Sequence, residues 1–521
     1  MFDILIIVSG LLLLIYYLFT RKFGYWKRKN IPYPKPVPFF GNYADMILVK
    51  KTFGEVVKEI CDQFPDAPVV GAFMGTEPVL IPKDPEIIKA ILAKDFYYFN
   101  GREISDHADK EELMYNLFST SGDNWKVLRQ NLTPLFSSAK MKLMFNMIAR
   151  CSRSFEQLLE EESKLVSVET KNLMERFTIQ CIGACVFGVE TDTISHDSDN
   201  PFKQAGDDLS KTSKWLAFKN SVRIMWPSLF YRLGFSLLTN ELDVFKSIVI
   251  AVFKQRDYRP SSRHDFVDLI LTWKENSYIE GDKLRSARSV EGGKTSINVT
   301  DDLLISQCMI FFSAGFETSA ATLSFTLYEL AKNERVTKKV CEEVDAYIKR
   351  HENKINYDCL SELHYLEACI EETLRKYPVL GATTREVMDN YTFQSGLKVE
   401  KDLRVHIPIL YLQHNPDFFP EPQEYRPERF YGEEKRNIIP YTYMPFGEGP
   451  RICIGMRFAK MQIMAGLVTV LKSYTVELAD GMAKELTYRP EAFVTTSMDG
   501  INLKFIKREG WEERMYVEQI V

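Results

Sequence analysis

The sequence is short of several things, and each shortage excludes a class of protein. There is no Gly-x-Gly-x-x-Gly fingerprint, so no nucleotide or flavin module of its own is evident. Cationic residues give no surplus: 66 Lys and Arg face 71 Asp and Glu, for a net charge of −5. A chain so balanced, with a pI near 6.0, has no electrostatic footprint for nucleic acid. The nine cysteines are odd in number and scattered (61, 151, 181, 185, 308, 341, 359, 369 and 453), without zinc spacing. A disulfide framework is not expected in so large a core-forming chain. Cys181 and Cys185, four apart on a helical pattern, read as core.

What is present is a 521-residue chain, 45% hydrophobic and 26% charged, able to bury a large core. Ile4 to Phe19 carries no charge and is followed by Arg21, Lys22, Lys27, Arg28 and Lys29. Charge after the apolar run, with Tyr16-Tyr17-Leu18-Phe19 in place of a small-residue cleavage site, reads as an uncleaved signal anchor. Positive-inside logic leaves the N-terminus lumenal and the remainder cytosolic. The sequons at Asn131, Asn298 and Asn390 are then expected to be silent. Ile31 to Pro38 alternates proline with other residues, which makes an extended, stiff hinge.

Helical patterns follow at Thr52 to Ile60, and two short strands flank the Gly75 turn within Pro68 to Ile81. Gly101 to Ser121 is polar and irregular; its acids Asp106, Asp109, Glu111 and Glu112 read as a solvated surface. Trp125 and Arg129 sit one turn apart on one helix face. Residues 141 to 275 are mostly amphipathic helix, and Gly281 to Ser296 reads as a mobile surface loop. Thr300 caps a helix whose first residues are Asp301 and Asp302, and the run Leu303 to Ala331 is apolar on nearly all sides. Inside it, Ala314-Gly315-Phe316-Glu317-Thr318 places a glycine and an acid in a buried helix. Gly315 alone costs of order 1 kcal/mol there. Thr318 is expected to turn its hydroxyl back to the carbonyl of residue 314.

The organising stretch is Phe446 to Gly455. Cys453 lies in a glycine-rich loop with Arg451 before it and Gly455 after it, and the helical run Phe458 to Leu471 follows. That layout puts a sulfur near a helix N-terminus, where free N–H groups favour a thiolate. Gly449 and Gly455 are expected to allow tight turns and close approach of a flat ligand. Arg451 offers a fork for carboxylates on that ligand.

Phe446-x-x-Gly449-x-Arg451-x-Cys453-x-Gly455 resembles the cysteine-ligand loop of the cytochrome P450 superfamily, the haem-thiolate monooxygenases. Three further motifs fall in the family's order: Trp125 with Arg129, the Ala314 to Thr318 pentapeptide, and Glu372-x-x-Arg375 with Arg429. The stretch from Leu132 to Met141 resembles microsomal insect detoxifying members. The resemblance implies a mainly α fold with small β-sheets (α+β): residues 1–20 anchor, 21–40 basic and proline-rich hinge, 41–521 haem-thiolate domain. It implies haem b, with Cys453 as iron ligand and Trp125, Arg129, Arg385, Phe446, Arg451, Gly455, Ala314 and Gly315 around the cofactor. Thr318 and Glu317 would be catalytic, handling dioxygen and its protons, while the small Ala314-Gly315 pair leaves room for oxygen. Glu372, Arg375 and Arg429 would form a structural network.

The implied reaction inserts one oxygen atom of O2 into a lipophilic substrate, with plant toxins and insecticides favoured. Electrons would come from a membrane-bound NADPH-dependent reductase, with cytochrome b5 as a further donor. The implied location is the endoplasmic reticulum membrane. Lys126, Lys140, Lys142, Arg457 and Lys460 are candidate docking cations. The aromatic segment from Trp215 to Tyr231 has two readings, interior packing or, by resemblance, a membrane-dipping roof over the pocket. Two small departures from the family loop are Ile452 and Glu448. A haem-thiolate isomerase working without a reductase, or a non-enzymatic haem binder, are the alternatives; Thr318 and the uninterrupted loop argue against the first, and the Glu317-Thr318 pair would have no task in the second.

Overall fold

A computed structural model describes residues 2–515, apart from 104–106, 108–109, 112, 195–199, 237–241, 262–264 and 286–292. Asp106, Asp109 and Glu112 therefore lie outside the described residues. The architecture is the expected one, mainly helical with small sheets.

The first helix, α1 (Phe2–Thr20), has a mean hydropathy of 2.4, and none of its residues is fully buried in the body. By length and composition it is long and apolar enough to cross a membrane. The chain after it does not hang free. Trp26 is fully buried, its indole N–H donates to the Ala72 carbonyl at 2.8 Å, and its ring lies on Gly71. A Cβ on Gly71 would come within 2.3 Å of that ring, so the glycine is what admits the tryptophan. Lys22 reaches Glu77 at 2.6 Å from the same segment.

Helix α2 (Phe53–Asp62) starts with a capping box between Thr52 and Glu55, as its sequence suggests. Strands β1 (Val69–Met74) and β2 (Glu77–Pro82) pair around the Gly75 turn, where φ is +61°. Helices α3 (Gly122–Leu132), α4 (Ser138–Glu162) and α5 (Thr170–Ile182) follow, with β3 (Val168–Glu169) just before the last. Next come α6 (Lys214–Met225) and α7 (Pro227–Arg232). Of Gly281 to Ser296, residues 286–292 lie outside the described residues, and both flanks are strand. Strands β4 (Tyr278–Asp282) and β5 (Lys294–Asn298) form a hairpin whose facing residues Ile279 and Ile297 are both buried. That non-local apolar pair gives the hairpin a core face despite its polar composition.

The longest helix, α8 (Asp301–Lys332), runs through the middle of the molecule. Thr300 caps it, accepting from the Leu303 N–H at 3.2 Å. It packs against α5, and against α9 (Glu334–Arg350), α10 (His364–Lys376) and α11 (Met456–Ser473). Its own length and composition would pass for a membrane span, but most of it is buried inside the protein.

Strands β6 (Thr383–Glu386) and β7 (Arg404–Ile407) complete a four-stranded sheet in the order β1-β2-β7-β6, with β2 and β7 parallel. A second sheet runs β8-β9-β3, with β8 at Tyr474–Leu478 and β9 at Asn502–Lys507. One apolar core surrounds α8 and its neighbours; another fills the space between the first sheet, α2 and Trp26. The Glu372 to Arg429 network lies on the α10 side: Arg375 Nε meets Glu372 at 2.7 Å with both side chains fully buried, and Arg429 stands 3.4 Å away.

Candidate haem site

The loop before α11 is built by two glycines in the left-handed region. Gly447 has φ +74° and Gly449 φ +72°, and a Cβ on Gly449 would fall 1.9 Å from the Leu92 carbonyl oxygen. No other residue fits that position. Gly455 is different. Its φ of −87° suits any residue, and a Cβ there would meet its nearest atoms, Cys453 Sγ and Phe136, at an ordinary 4.0 Å. The expectation that Gly455 is needed for a tight turn is therefore corrected, because its backbone is already in the right-handed half of the map. Phe446 closes the loop through its carbonyl, which accepts the Cys453 N–H at 2.9 Å.

Cys453 alone among the nine free cysteines is exposed, although protein surrounds it on nearly all sides. The two facts agree if the sulfur lines an internal chamber. Burial pushes its thiol up, while the Gly455 N–H, Arg129 and Arg102 pull it down. Burial wins, and a bound cation at the sulfur would reverse that rise in favour of thiolate. On α8, Phe312 and Phe316 are 0% and 1% exposed, yet Ala314 between them is exposed. Ala314 therefore also faces a space inside the protein. Thr318 donates back to the Ala314 carbonyl at 2.7 Å, as its position in the helix leads one to expect. Thr322 and Thr326 repeat the same bond one and two turns on, at 2.9 and 2.8 Å.

Gly315 does not open this space. A Cβ on it would strike Ile182 Cδ1 of α5 at 2.3 Å, so its missing side chain makes room for helix packing. The expectation of a small pair leaving room for oxygen reduces to Ala314 alone. Glu317 also turns toward α5, where it lies 3.7 Å from Lys171 Nζ.

Four guanidinium groups gather near the cysteine loop. Arg451 loses its proton more readily than usual because of burial and the charges of Arg102, Arg385 and Arg129. Burial and Arg102 bring Arg385 down to about 9, and burial brings Arg102 to about 10. Burial also lowers Arg129. Arg129, Arg385 and Arg451 meet no carboxylate among the described residues. The Nε atoms of Arg385 and Arg451 are buried without a hydrogen-bond partner. Arg451 is otherwise held by the Phe118 and Thr120 carbonyls and lies over the Trp125 ring. Burying several like charges beside unpaired donors is unfavourable unless an anion arrives to meet them.

The residues thus fit a haem, a flat apolar ring with two carboxylates at one edge and a metal that takes thiolate. Arg102 was not legible as a member of this group, since a lone arginine in the irregular stretch Gly101 to Ser121 follows no pattern. Glu448 is a half-buried member of the same loop; burial pushes its carboxyl up while the Gly449 N–H pulls it down. A cleft of about 980 Å³ opens beyond Trp125 and Arg129, lined also by Lys94, Lys126 and Tyr391, and contains neither Cys453 nor Thr318. The chemistry belongs to the cysteine chamber.

The candidate docking cations differ in availability. Lys460 is committed to Glu371 at 2.6 Å and Glu367 at 3.0 Å. Lys126 donates to the Lys283 carbonyl, Arg457 to Ser138, and Lys142 lies 5.7 Å over the Tyr357 ring.

Comparison with known proteins agrees with this geometry. A family model described as Cytochrome P450 matches residues 31–505. Cytochrome P450 6B1 of Papilio polyxenes is 34% identical over 98% of this chain and 100% of its own length. Cytochrome P450 6B2 of Helicoverpa armigera is 33% identical over 96% of this chain and 98% of its own. Cytochrome P450 6k1 of Blattella germanica is 33% identical, covering 97% of each chain. With the family model spanning nearly the whole body and a cysteine loop built to hold a thiolate-ligated haem b, this chain belongs to the cytochrome P450 family of monooxygenases.

Proposed function

We propose that this monooxygenase acts on lipophilic foreign compounds, plant toxins and insecticides among them, at the cytosolic face of the endoplasmic reticulum. Its electrons would come from an NADPH-dependent flavin reductase, with cytochrome b5 as a further donor. The observation that carries the chemical part is the convergence on one interior space of Cys453 and a guanidinium cluster in which Arg129, Arg385 and Arg451 meet no carboxylate among the described residues. When bound, the haem supplies the activation of dioxygen. Cys453 would hold its iron, and Trp125, Arg102, Arg129, Arg385 and Arg451 its acidic edge. Ala314 leaves space on the α8 side. Thr318 carries a hydroxyl that can exchange the Ala314 carbonyl for an acceptor in the chamber. Glu317 holds a proton next to it, since burial brings its carboxyl up to about 7.

The lipophilic part rests on where apolar surface is left exposed. Trp215, Leu229, Leu233 and Phe235, on and beside α6 and α7, are all more than half exposed. The end of α1 reaches the same region: Phe19 packs on Phe39 at 4.2 Å and on Trp226 at 5.8 Å. If α1 spans the bilayer, this patch lies at its surface, where dissolved apolar substrates collect. Of the two readings of the aromatic segment, exposure at these positions favours the membrane contact, while Phe230 and Met225 do pack inside. For the reductase, Lys126, Lys142 and Arg457 keep more of their charge available than Lys460. The test is incubation of the protein with reductase, NADPH and ¹⁸O-labelled dioxygen across a panel of lipophilic compounds. Label in an NADPH-dependent product supports the reading; rearranged peroxide without NADPH overturns it.

A further inference from the structure

Inserting one oxygen atom and reducing the other to water consumes two protons and two electrons per turnover, so the buried α8 acid must be recharged from solvent. Three observations locate where. Lys171 on α5 lies 2.9 Å from Glu175 and 3.7 Å from Glu317, linking the two carboxylates. Beside them is a cavity of about 190 Å³ lined by Lys171, Glu175, Ser324, Arg489, Thr496 and Ser497. At ~30 Å³ per molecule it has room for several waters. Its polar groups stand beside Ala321, Phe325 and Ile501, and the Ser324 hydroxyl, 1% exposed, has no hydrogen-bond partner among the described residues, as expected of a group that bonds water. Ala321, Ser324 and Phe325 of the lining continue the α8 face that carries Glu317, one and two turns on.

We propose that the Lys171–Glu175 pair and this cavity form the inlet through which protons reach Glu317, with Lys171 as the positioning residue that holds the Glu317 carboxyl toward it. Each proton that Glu317 gives to the chamber side is replaced by one from cavity water, and no electrons move. The charged groups around the route are Lys171 and Glu175 on α5, Glu169 at its start, Asp207 on the helix Pro201–Ser210, and Arg489 on the opposite wall. Burial raises Glu175 as well as Glu317, and Lys171 opposes both shifts. Two carboxyls with raised proton affinity on either side of one ammonium make a relay in which a proton can pass without stranding a charge. The inference takes the monooxygenase chemistry as its ground.

The test uses the full-length haem-loaded protein with Lys171→Met, Lys171→Arg, Glu175→Gln and Glu317→Gln. Infrared titration of the carboxyl C=O band, in the absence of NADPH, reads Glu317 directly, with E317Q identifying the band. In the wild type the midpoint should lie at about 7. K171M should move it up by about one pH unit, and K171R should restore it. In turnover, K171M and E175Q should raise the solvent deuterium isotope effect on product formation roughly twofold with KM unchanged. An unmoved band midpoint in K171M, or an unmoved isotope effect in both variants, overturns the inlet. Should K171M fail to take up haem, E175Q carries the isotope-effect readout, and an unmoved isotope effect in it overturns the inlet. Absence of labelled product from the wild type would instead strike at the monooxygenase chemistry, so the two failures are distinguishable.

Discussion

The guanidinium carbon of Arg451 lies 4.7 Å from the centre of the Trp125 ring. The ring face offsets part of the cost of burying that charge. What remains is the mutual repulsion of Arg451 with Arg385, Arg129 and Arg102. Neutralising one member should therefore weaken haem binding and relieve the empty fold. For Arg385→Gln and Arg451→Gln, loss of a charged hydrogen bond worth about 1.5–3 kcal/mol should speed haem loss roughly 10- to 100-fold. Transfer of haem to an excess of a haem-free acceptor globin measures this. An unchanged transfer rate in both variants would mean that the cluster does not face the cofactor.

Two glycines of the cysteine loop should respond in opposite ways. Gly449→Ala meets a left-handed backbone, costing about 1–2 kcal/mol, and also drives a methyl into the Leu92 carbonyl. Its melting temperature and haem content should fall together. Gly455→Ala has room, and its backbone needs no glycine, so both quantities should stay near the wild type. Equal losses in the two variants would contradict the loop geometry.

The Glu372–Arg375–Arg429 network should tolerate removal of its acid poorly. Glu372→Gln leaves two guanidiniums facing each other in a fully buried site. Breaking a buried pair in this way costs about 3–5 kcal/mol. Urea unfolding of the haem-loaded protein reads that loss. A haem content near normal in the surviving folded fraction would separate a structural role from a ligand role.

What could be read from the sequence follows from how local each signal is. Cys453 and its glycines, Trp125 with Arg129, and Thr300 with α8 are short patterns whose spacing is itself the geometry. Arg102 carries no such pattern; only the fold brings it beside Arg451 and Arg385. Trp26 follows a basic run after an apolar helix, which reads as a tether, yet it is buried because Gly71, some forty-five residues later, leaves a slot for it. The β4–β5 hairpin depends on the pairing of Ile279 with Ile297 across a polar connection. In each case the missing information was a partner distant in sequence.

Gly315 is the sharpest instance, because the sequence shows a glycine inside the helix and not which neighbour it faces. In a helix interior glycine costs about 1 kcal/mol relative to alanine, so Gly315→Ala should stabilise α8 if nothing stood beside it. Ile182 Cδ1 does, at 2.3 Å from the added methyl. The single variant should therefore lose about 1–3 kcal/mol through overpacking between α8 and α5. Ile182→Val removes that carbon and alone should cost about 0.5–1.5 kcal/mol. The double variant should recover most of both losses, giving a coupling energy of roughly 1–2 kcal/mol in a double-mutant cycle on urea unfolding. Additive losses would place the Gly315 face elsewhere. A Gly315→Ala variant that keeps its stability but loses oxygen-dependent turnover would return this glycine to the chamber side of the helix.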